Sequence, residues 1–260
     1  MEFKNLLFEN NSGVATLTIN RPQSLNALNS EVLGELLCAL HELECDSSVK
    51  VVVLTGSGEK AFVAGADIKE MSAMSSYEGH QFSLKGQRVI QAMEKMNKPI
   101  IAAVNGFALG GGLELALGCD FIYASDKSRL GFPEVTLGII PGFGGTQNLA
   151  RLIGPNKTNE LIFTGRIISA EKALAWGIVN ELFSPEDLLL KTQEMAKIIA
   201  ELGLLSIAYA KDAIANGLTM TKEGGFRYEA SLFGVLFSTE DQKEGMGAFV
   251  EKRKPVFVHK

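Results

Sequence analysis

The sequence predicts an α/β protein with largely parallel strands, and three observations lead there. Short β-branched runs too brief for helices recur along the chain, among them KVVVLT at 50–55 and IIAAV at 100–104. Segments with helical spacing of apolar residues separate them, and strands alternating with helices are the pattern of parallel sheets. Small-residue loops follow three of the apolar segments: Ala64-Gly65-Ala66-Asp67, Leu109-Gly110-Gly111-Gly112 and Pro141-Gly142-Phe143-Gly144-Gly145. Loops of that kind at strand ends are where α/β folds hold ligands.

In chain order, residues 13–20 (GVATLTIN) alternate apolar and polar side chains and stop at Arg21-Pro22, which reads as a strand ended by a turn. From 28 to 43, Leu28, Val32, Leu36, Leu40 and Leu43 repeat at helical spacing with Glu31, Glu35 and Glu42 between them. The runs at 50–55 and 100–104 read as buried strands, and DFIYA at 120–124 as a further short one. Leu113 to Gly118 is helical, directly after the triple glycine. The last quarter is helical in pattern over 185–202 and 205–218, with Ser184-x-x-Asp187 as a capping signal, and again from Ser238 to about Lys254, where Pro255 stops it. Between the last two helices Phe226, Phe233 and Phe237 share one helical face, which can close over the chain's own core or cap a neighbouring subunit, and packing into the core is the expectation.

A chain of 260 residues can bury a substantial core, and 46% hydrophobic with 21% charged residues is ordinary for a globular protein. No apolar run reaches the length of a membrane span, and the N-terminus lacks a basic segment followed by an apolar one, so the cytoplasm is the expected location. A net charge of -5 argues against general affinity for nucleic acid or anionic membrane. The cysteines Cys38, Cys45 and Cys119 are odd in number and unpatterned, and His41, His80 and His259 are scattered, so neither a disulfide framework nor a metal site is expected.

The segment VNGFALGGGLELALGCD at 104–120 is the most informative. Glycines between a strand and a helix leave backbone N–H groups approachable, and at a helix N-terminus those groups favour negative charge. A developing enolate oxygen is one such charge, although a tight turn needing glycine accounts for the same residues. Glu114, two residues on, serves either the helix N-terminus or proton transfer, and Glu134, after Pro133, is either a solvated charge or its partner. Around Ala64 a second backbone donor is available, and Asp67 reads as a turn former rather than a catalytic group. Neither GxGxxG, GxxxxGK[ST] nor GxSxG occurs, which removes the dinucleotide, phosphate-loop and serine-nucleophile readings.

At these segments the sequence resembles the enoyl-CoA hydratase (crotonase) family. The matching stretches are INRPQSLNAL (19–28), AFVAGADIKEM (61–71), AAVNGFALGGGLELALGCD (102–120), GFPEVTLGIIPGFGGTQNLARLIG (131–154), FTGRIISAEKALAWGIVNELF (163–183) and AFVEKRKP (248–255). The resemblance implies a ClpP-like spiral of ββα units over residues 1–195 and a helical trimerisation region over 196–260, with trimers pairing into a homohexamer. It implies an oxyanion hole from the backbone N–H groups of Ala64 and Gly111, Glu114 to orient and deprotonate water, and Glu134 to share that water and protonate the α-carbon. The implied reaction is syn addition of water to a 2-trans-enoyl-CoA, in fatty-acid or butyrate-type metabolism, with no metal or redox cofactor and with coenzyme A as part of the substrate. Coenzyme A contacts are implied for Ala64, Ala66, Asp67 and Ile68, and for Phe249 and Lys252, the latter two at positions that a neighbouring subunit can supply. Gln23, Leu113 and Phe132 depart from residues common in the family, the last two beside the acyl pocket.

Two alternatives stand beside hydration. A double-bond isomerase of the same family needs one carboxylate, so retention of both glutamates favours hydration. An RNA-binding branch uses a lysine-rich helix, whereas residues 28–49 here carry Glu31, Glu35, Glu42, Glu44 and Asp46 and no Lys or Arg, the wrong sign for phosphate.

Overall fold

The computed structural model describes residues 3–260. The chain opens with a hairpin of β1 (Leu6–Asn11) and β2 (Val14–Ile19). Its two turn residues, Ser12 and Gly13, both have positive φ (55° and 90°), the mirror-image turn that matches strand twist. Then come α1 (Ser30–Cys45), β3 (Val51–Gly56), β4 (Ala61–Val63), the single turn α2 (Ile68–Met71) and α3 (Ser76–Lys95). Next are β5 (Ile100–Val104), β6 (Phe107–Leu109), α4 (Gly111–Leu117), β7 (Phe121–Ser125) and β8 (Arg129–Gly131), followed by a 3-10 turn at Glu134–Leu137. The rest is α5 (Gly145–Ile153), α6 (Pro155–Thr164), β9 (Ile167–Ser169), α7 (Ala170–Trp176), β10 (Glu181–Phe183), α8 (Leu188–Ala200), α9 (Leu204–Gly217), α10 (Lys222–Leu236) and α11 (Glu240–Glu251).

The strands form two sheets. The larger has the order β1-β2-β3-β5-β7-β10 and is parallel except at the β1/β2 hairpin. The smaller has the order β4-β6-β8-β9, with the first three parallel and β9 antiparallel. Every residue of β3 and β5 is buried, because both faces of that sheet are covered, which is why those strands read as unbroken apolar runs. The chain thus repeats one unit: a long strand in the large sheet, a short strand in the small one, then a helix. Glycine permits two of these corners. A Cβ on Gly56 would lie 2.2 Å from the Phe62 carbonyl oxygen, and one on Gly106 would lie 2.3 Å from that of Lys60.

The expected strands are present with ends shifted by a residue or so, and IIAAV is β5 as read. The first helix begins at Ser30 rather than Leu28, because Asn29 caps it by accepting the Val32 N–H at 2.9 Å. Leu28 instead forms a parallel bridge with Ala66. Ser184 and Asp187 bond each other in a turn, and α8 starts after them at Leu188. The boundary expected at 195/196 falls inside α8, whose Leu188, Ala196 and Ala200 pack on Val51, Val53, Ile101 and Tyr123 of the large sheet. That helix belongs to the sheet-bearing body, and the helical region follows it.

The expectation that Phe226, Phe233 and Phe237 enter the core is overturned. α10 packs on α9 and has no buried residue; Phe226 and Phe233 are 60% and 62% exposed. The periodicity correctly located a helix and an apolar stripe, but a stripe does not specify which surface covers it.

Asn26 fixes the loop before α1. It is fully buried, has a φ of 58°, and donates through its amide to the carbonyls of Ser57 (2.9 Å) and Ala61 (2.8 Å) while accepting the Arg21 N–H at 2.9 Å. Asn26→Ala leaves two carbonyls without their donor and is expected to destabilise the fold by about 2–4 kcal/mol. Urea unfolding with an unchanged slope is the measurement; a midpoint indistinguishable from that of the parent would reject this role.

Candidate active site

The three parallel strands of the small sheet end at one edge. β4 delivers Ala64 to Asp67 there, β6 delivers Gly110 and the start of α4, and β8 delivers Phe132 to Glu134. The sequence separates these segments by tens of residues, and parallel pairing brings them side by side.

The glycines of the second segment meet steric demands. Gly110 has φ 50° and ψ -123°, and a Cβ there would lie 2.5 Å from Glu134 Oε1. On Gly112 it would lie 2.0 Å from the Val63 carbonyl oxygen. The tight-turn reading of this loop is therefore correct, and it coexists with an open helix end. Gly111 is the first residue of α4, and its N–H has no acceptor among the described residues.

The first segment corrects the expectation for Ala64. Its N–H donates to the Leu25 carbonyl at 3.0 Å and is not free for a ligand. Residues 25–28 run along this loop, with Leu28 N–H donating to Gly65 at 2.9 Å and Asp67 N–H donating to Leu28 at 2.8 Å. In such a parallel bridge Ala66, the residue paired with Leu28, turns its own N–H to the opposite side, toward β6 and α4. That N–H has no acceptor among the described residues. The spacing of the AGAD motif contained no signal to distinguish Ala64 from Ala66, since a contact 39 residues away in sequence makes the difference.

Glu114 lies in the first turn of α4 and is 2% exposed. Its Oε1 accepts the N–H groups of Phe143 and Gly145, each at 2.7 Å. Burial pushes its pKa up to about 7, while those bonds, Gly145's foremost, pull the other way. Gly145 is required at its place: a Cβ there would meet Phe132 Cζ at 2.6 Å and Glu114 Cγ at 3.0 Å. Glu134 opens the 3-10 turn and is 9% exposed, and its buried Oε2 lacks a hydrogen-bond partner. Burial, assisted by the charge of Glu114 and opposed by its own backbone N–H, raises its pKa to about 7. Two carboxyls with raised pKa values, electrostatically coupled and beside two unpaired N–H groups, can exchange a proton near neutrality.

The remaining candidates divide. Asp67 caps α2 by accepting the Lys69 N–H at 3.2 Å and pairs with Arg21 Nη2 at 3.2 Å, the structural role its turn character suggested. Ile68 is exposed beside it. Phe249, 85% exposed, and Lys252, a left-handed residue ending α11, make no hydrogen bond or aromatic contact with residues 64–68 among the described residues. Leu113 and Phe132 are fully buried. Sequence reasoning missed the two N–H groups that anchor Glu114, although the glycine-rich GFGG was visible as a loop. Among the described residues no three His, Cys, Asp or Glu side chains cluster as metal ligands would.

Because the folded-state pKa of Glu134 lies above the ordinary 4.5, its ionised form destabilises the fold. The cost is absent below about pH 4.5, grows through about pH 7 and is complete above it, on the order of 3 kcal/mol. Glu134→Gln is thus expected to melt at a higher temperature than the parent near pH 8, with the gap closing toward pH 4.5. A pH-independent gap would show that the carboxyl is not held neutral by the fold.

A profile of the family described as enoyl-CoA hydratase/isomerase matches residues 9–260. The chain is similar to a short-chain-enoyl-CoA hydratase of Clostridium acetobutylicum, 48% identical over 98% of this chain and 97% of the relative. To a crotonyl-CoA hydratase of Syntrophomonas wolfei it is 45% identical over the whole of both chains. Its backbone superposes on the crystal structure of an enoyl-CoA hydratase from Bacillus anthracis with a TM-score of 0.96, at 39% identity over 99% of this chain and 100% of the other. Matched over nearly its whole length in sequence and in backbone, the chain belongs to the enoyl-CoA hydratase/isomerase family.

Proposed function

We propose that this protein is an enoyl-CoA hydratase, and the observation that carries the reading is the buried Glu114–Glu134 pair beside two unpaired backbone N–H groups. The N–H groups of Ala66 and Gly111, rather than the Ala64 expected from the motif, receive the thioester oxygen. Glu114, its Oε1 held by two N–H groups, has its other oxygen for water. It takes a proton from that water as the oxygen bonds to C3, and the electron pair of the double bond moves through C2 to the thioester oxygen as an enolate. Backbone donors preset for that charge lower the barrier without reorganising. Glu134, raised to about 7 and therefore able to hold a proton near neutrality, delivers one to C2. Glu114 then passes the proton it took from water to Glu134, so that over a full turnover both the hydroxide and the proton come from water, and the step as written requires no metal or redox cofactor.

Coenzyme A then lies along Ala66, Asp67 and Ile68, whose backbone follows the oxyanion donor. Phe249 and Lys252, which make no hydrogen bond or aromatic contact with that segment among the described residues, contribute from a neighbouring subunit of a homohexamer. The uncovered aromatic face of α10 supports association, since patches of that kind on soluble proteins mark contact sites. Sedimentation of the full chain should give a hexameric mass, and a monomer at micromolar concentration would remove the shared-site reading. A cytoplasmic setting and a place in acyl-CoA oxidation or butyrate-type metabolism accompany this proposal. Among the described residues no helix is long and apolar enough to cross a membrane.

Hydration of crotonyl-CoA, followed by loss of absorbance of the conjugated thioester, is the direct test. Glu114→Gln and Glu134→Gln should each lower kcat by about 10²–10⁴-fold with binding of a saturated acyl-CoA little changed. Variants within tenfold of the parent would overturn the pair's role. Fast isomerisation of a 3-enoyl-CoA with negligible hydration would favour the isomerase reading.

A further inference from the structure

Two aromatic rings stand beside the reacting groups, and they differ in what lies behind them. Phe132 packs on Gly145 and is enclosed by core on every side. The Phe143 ring covers Gly111, where a Cβ would meet it at 3.1 Å, and it fits against α3 only because residue 86 is glycine. Phe143 stacks on Phe82 of α3 with ring centroids 5.4 Å apart and planes tilted by 58°. Phe82 is buried, yet it also lines an open cleft of about 450 Å³, shared with Met74 and Tyr77 and with the charged Glu70, Glu78 and Lys85. One continuous series therefore leads from the N–H groups at Glu114, through the Phe143 ring, to Phe82 and then to open space.

We propose that Phe82 is the specificity-determining residue that ends the acyl site, closing it for long chains and separating it from the cleft between α2 and α3. This rests on the acyl-CoA reading above. With the thioester oxygen at Gly111 and C3 facing Glu114, the acyl tail points at the Phe143–Phe82 pair. A short tail stops against the rings. A long one must displace Phe82, and the cleft behind it is roomy enough to take the extra methylenes. Phe132, with no space behind it, cannot yield in this way. Phe82 lies outside the stretches that match the family, between residues 71 and 102.

Removing the ring should join the site to the cleft. In Phe82→Ala the ratio of kcat/KM for a 2-decenoyl-CoA to that for crotonyl-CoA is expected to rise by roughly tenfold or more, since added methylenes become accommodated. Phe82→Leu, a milder change that preserves packing, should move the ratio the same way by less. Binding of decanoyl-CoA against butyryl-CoA, measured by calorimetry on the same proteins, provides a readout that does not depend on turnover. A shifted affinity ratio with no hydration in any protein, parent included, would sink the hydratase reading and keep the wall. Unchanged ratios in both assays, with the variants folded, would overturn the wall whether or not the protein hydrates.

Discussion

A carboxylate taken out of water must either find donors or take up a proton, and the active-site half of this structure is arranged around that demand at Glu114. Its two donors are backbone N–H groups of Phe143 and Gly145, so the loop from Pro141 to Gly145 is held where the carboxylate needs it. Seating that loop in turn requires close approaches. Gly145 lets Phe132 and the Glu114 stem touch its backbone, and Gly86 on α3 leaves room for the Phe143 ring. Burial still outweighs the two bonds, leaving a carboxyl with a pKa of about 7. Glu134, whose carboxyl lies against Gly110 at the head of the same helix, is raised by the same exclusion of water and by its neighbour's charge.

The second constraint is the stacking of short strands against long ones. Where the chain leaves β3 for β4 and β5 for β6, glycine permits the turn without a clash. Parallel pairing in the small sheet then puts three strand ends in a row, and each ends in a segment of the candidate site. The loop of residues 20–29, pinned by Asn26, runs along the first of these ends. It occupies the Ala64 N–H and leaves that of Ala66 directed toward α4. A loop that makes no contact with substrate in this reading thereby selects the donor that does.

Much of this was legible in advance. Apolar periodicity and the β-branched runs located the helices and strands, because burial on two faces or one leaves a direct trace in side-chain pattern. The family motifs named both glutamates and the glycine loop. Other features were illegible for physical reasons. The α1 start moved by two residues because Leu28 was recruited to a bridge with Ala66, and the Ser184–Asp187 pair made a turn instead of a cap. Phe226 and Phe233 shared a face as expected, but among the described residues no other part of the chain covers it.

What the sequence by itself determined about this protein is what depends on nearest neighbours and spacing: the element types, the glycines at close approaches, and the identity of the two carboxylates. The tertiary structure alone decided which N–H groups remain unpaired, how far each glutamate's pKa is raised, and which aromatic ring faces open space. These depend on donors, charges and volumes supplied by residues distant in sequence. Glu114 has its hydrogen-bond donors 29 and 31 residues away, and Ala64 loses its free N–H to Leu25. No local pattern records a partner that only the fold brings within hydrogen-bonding reach.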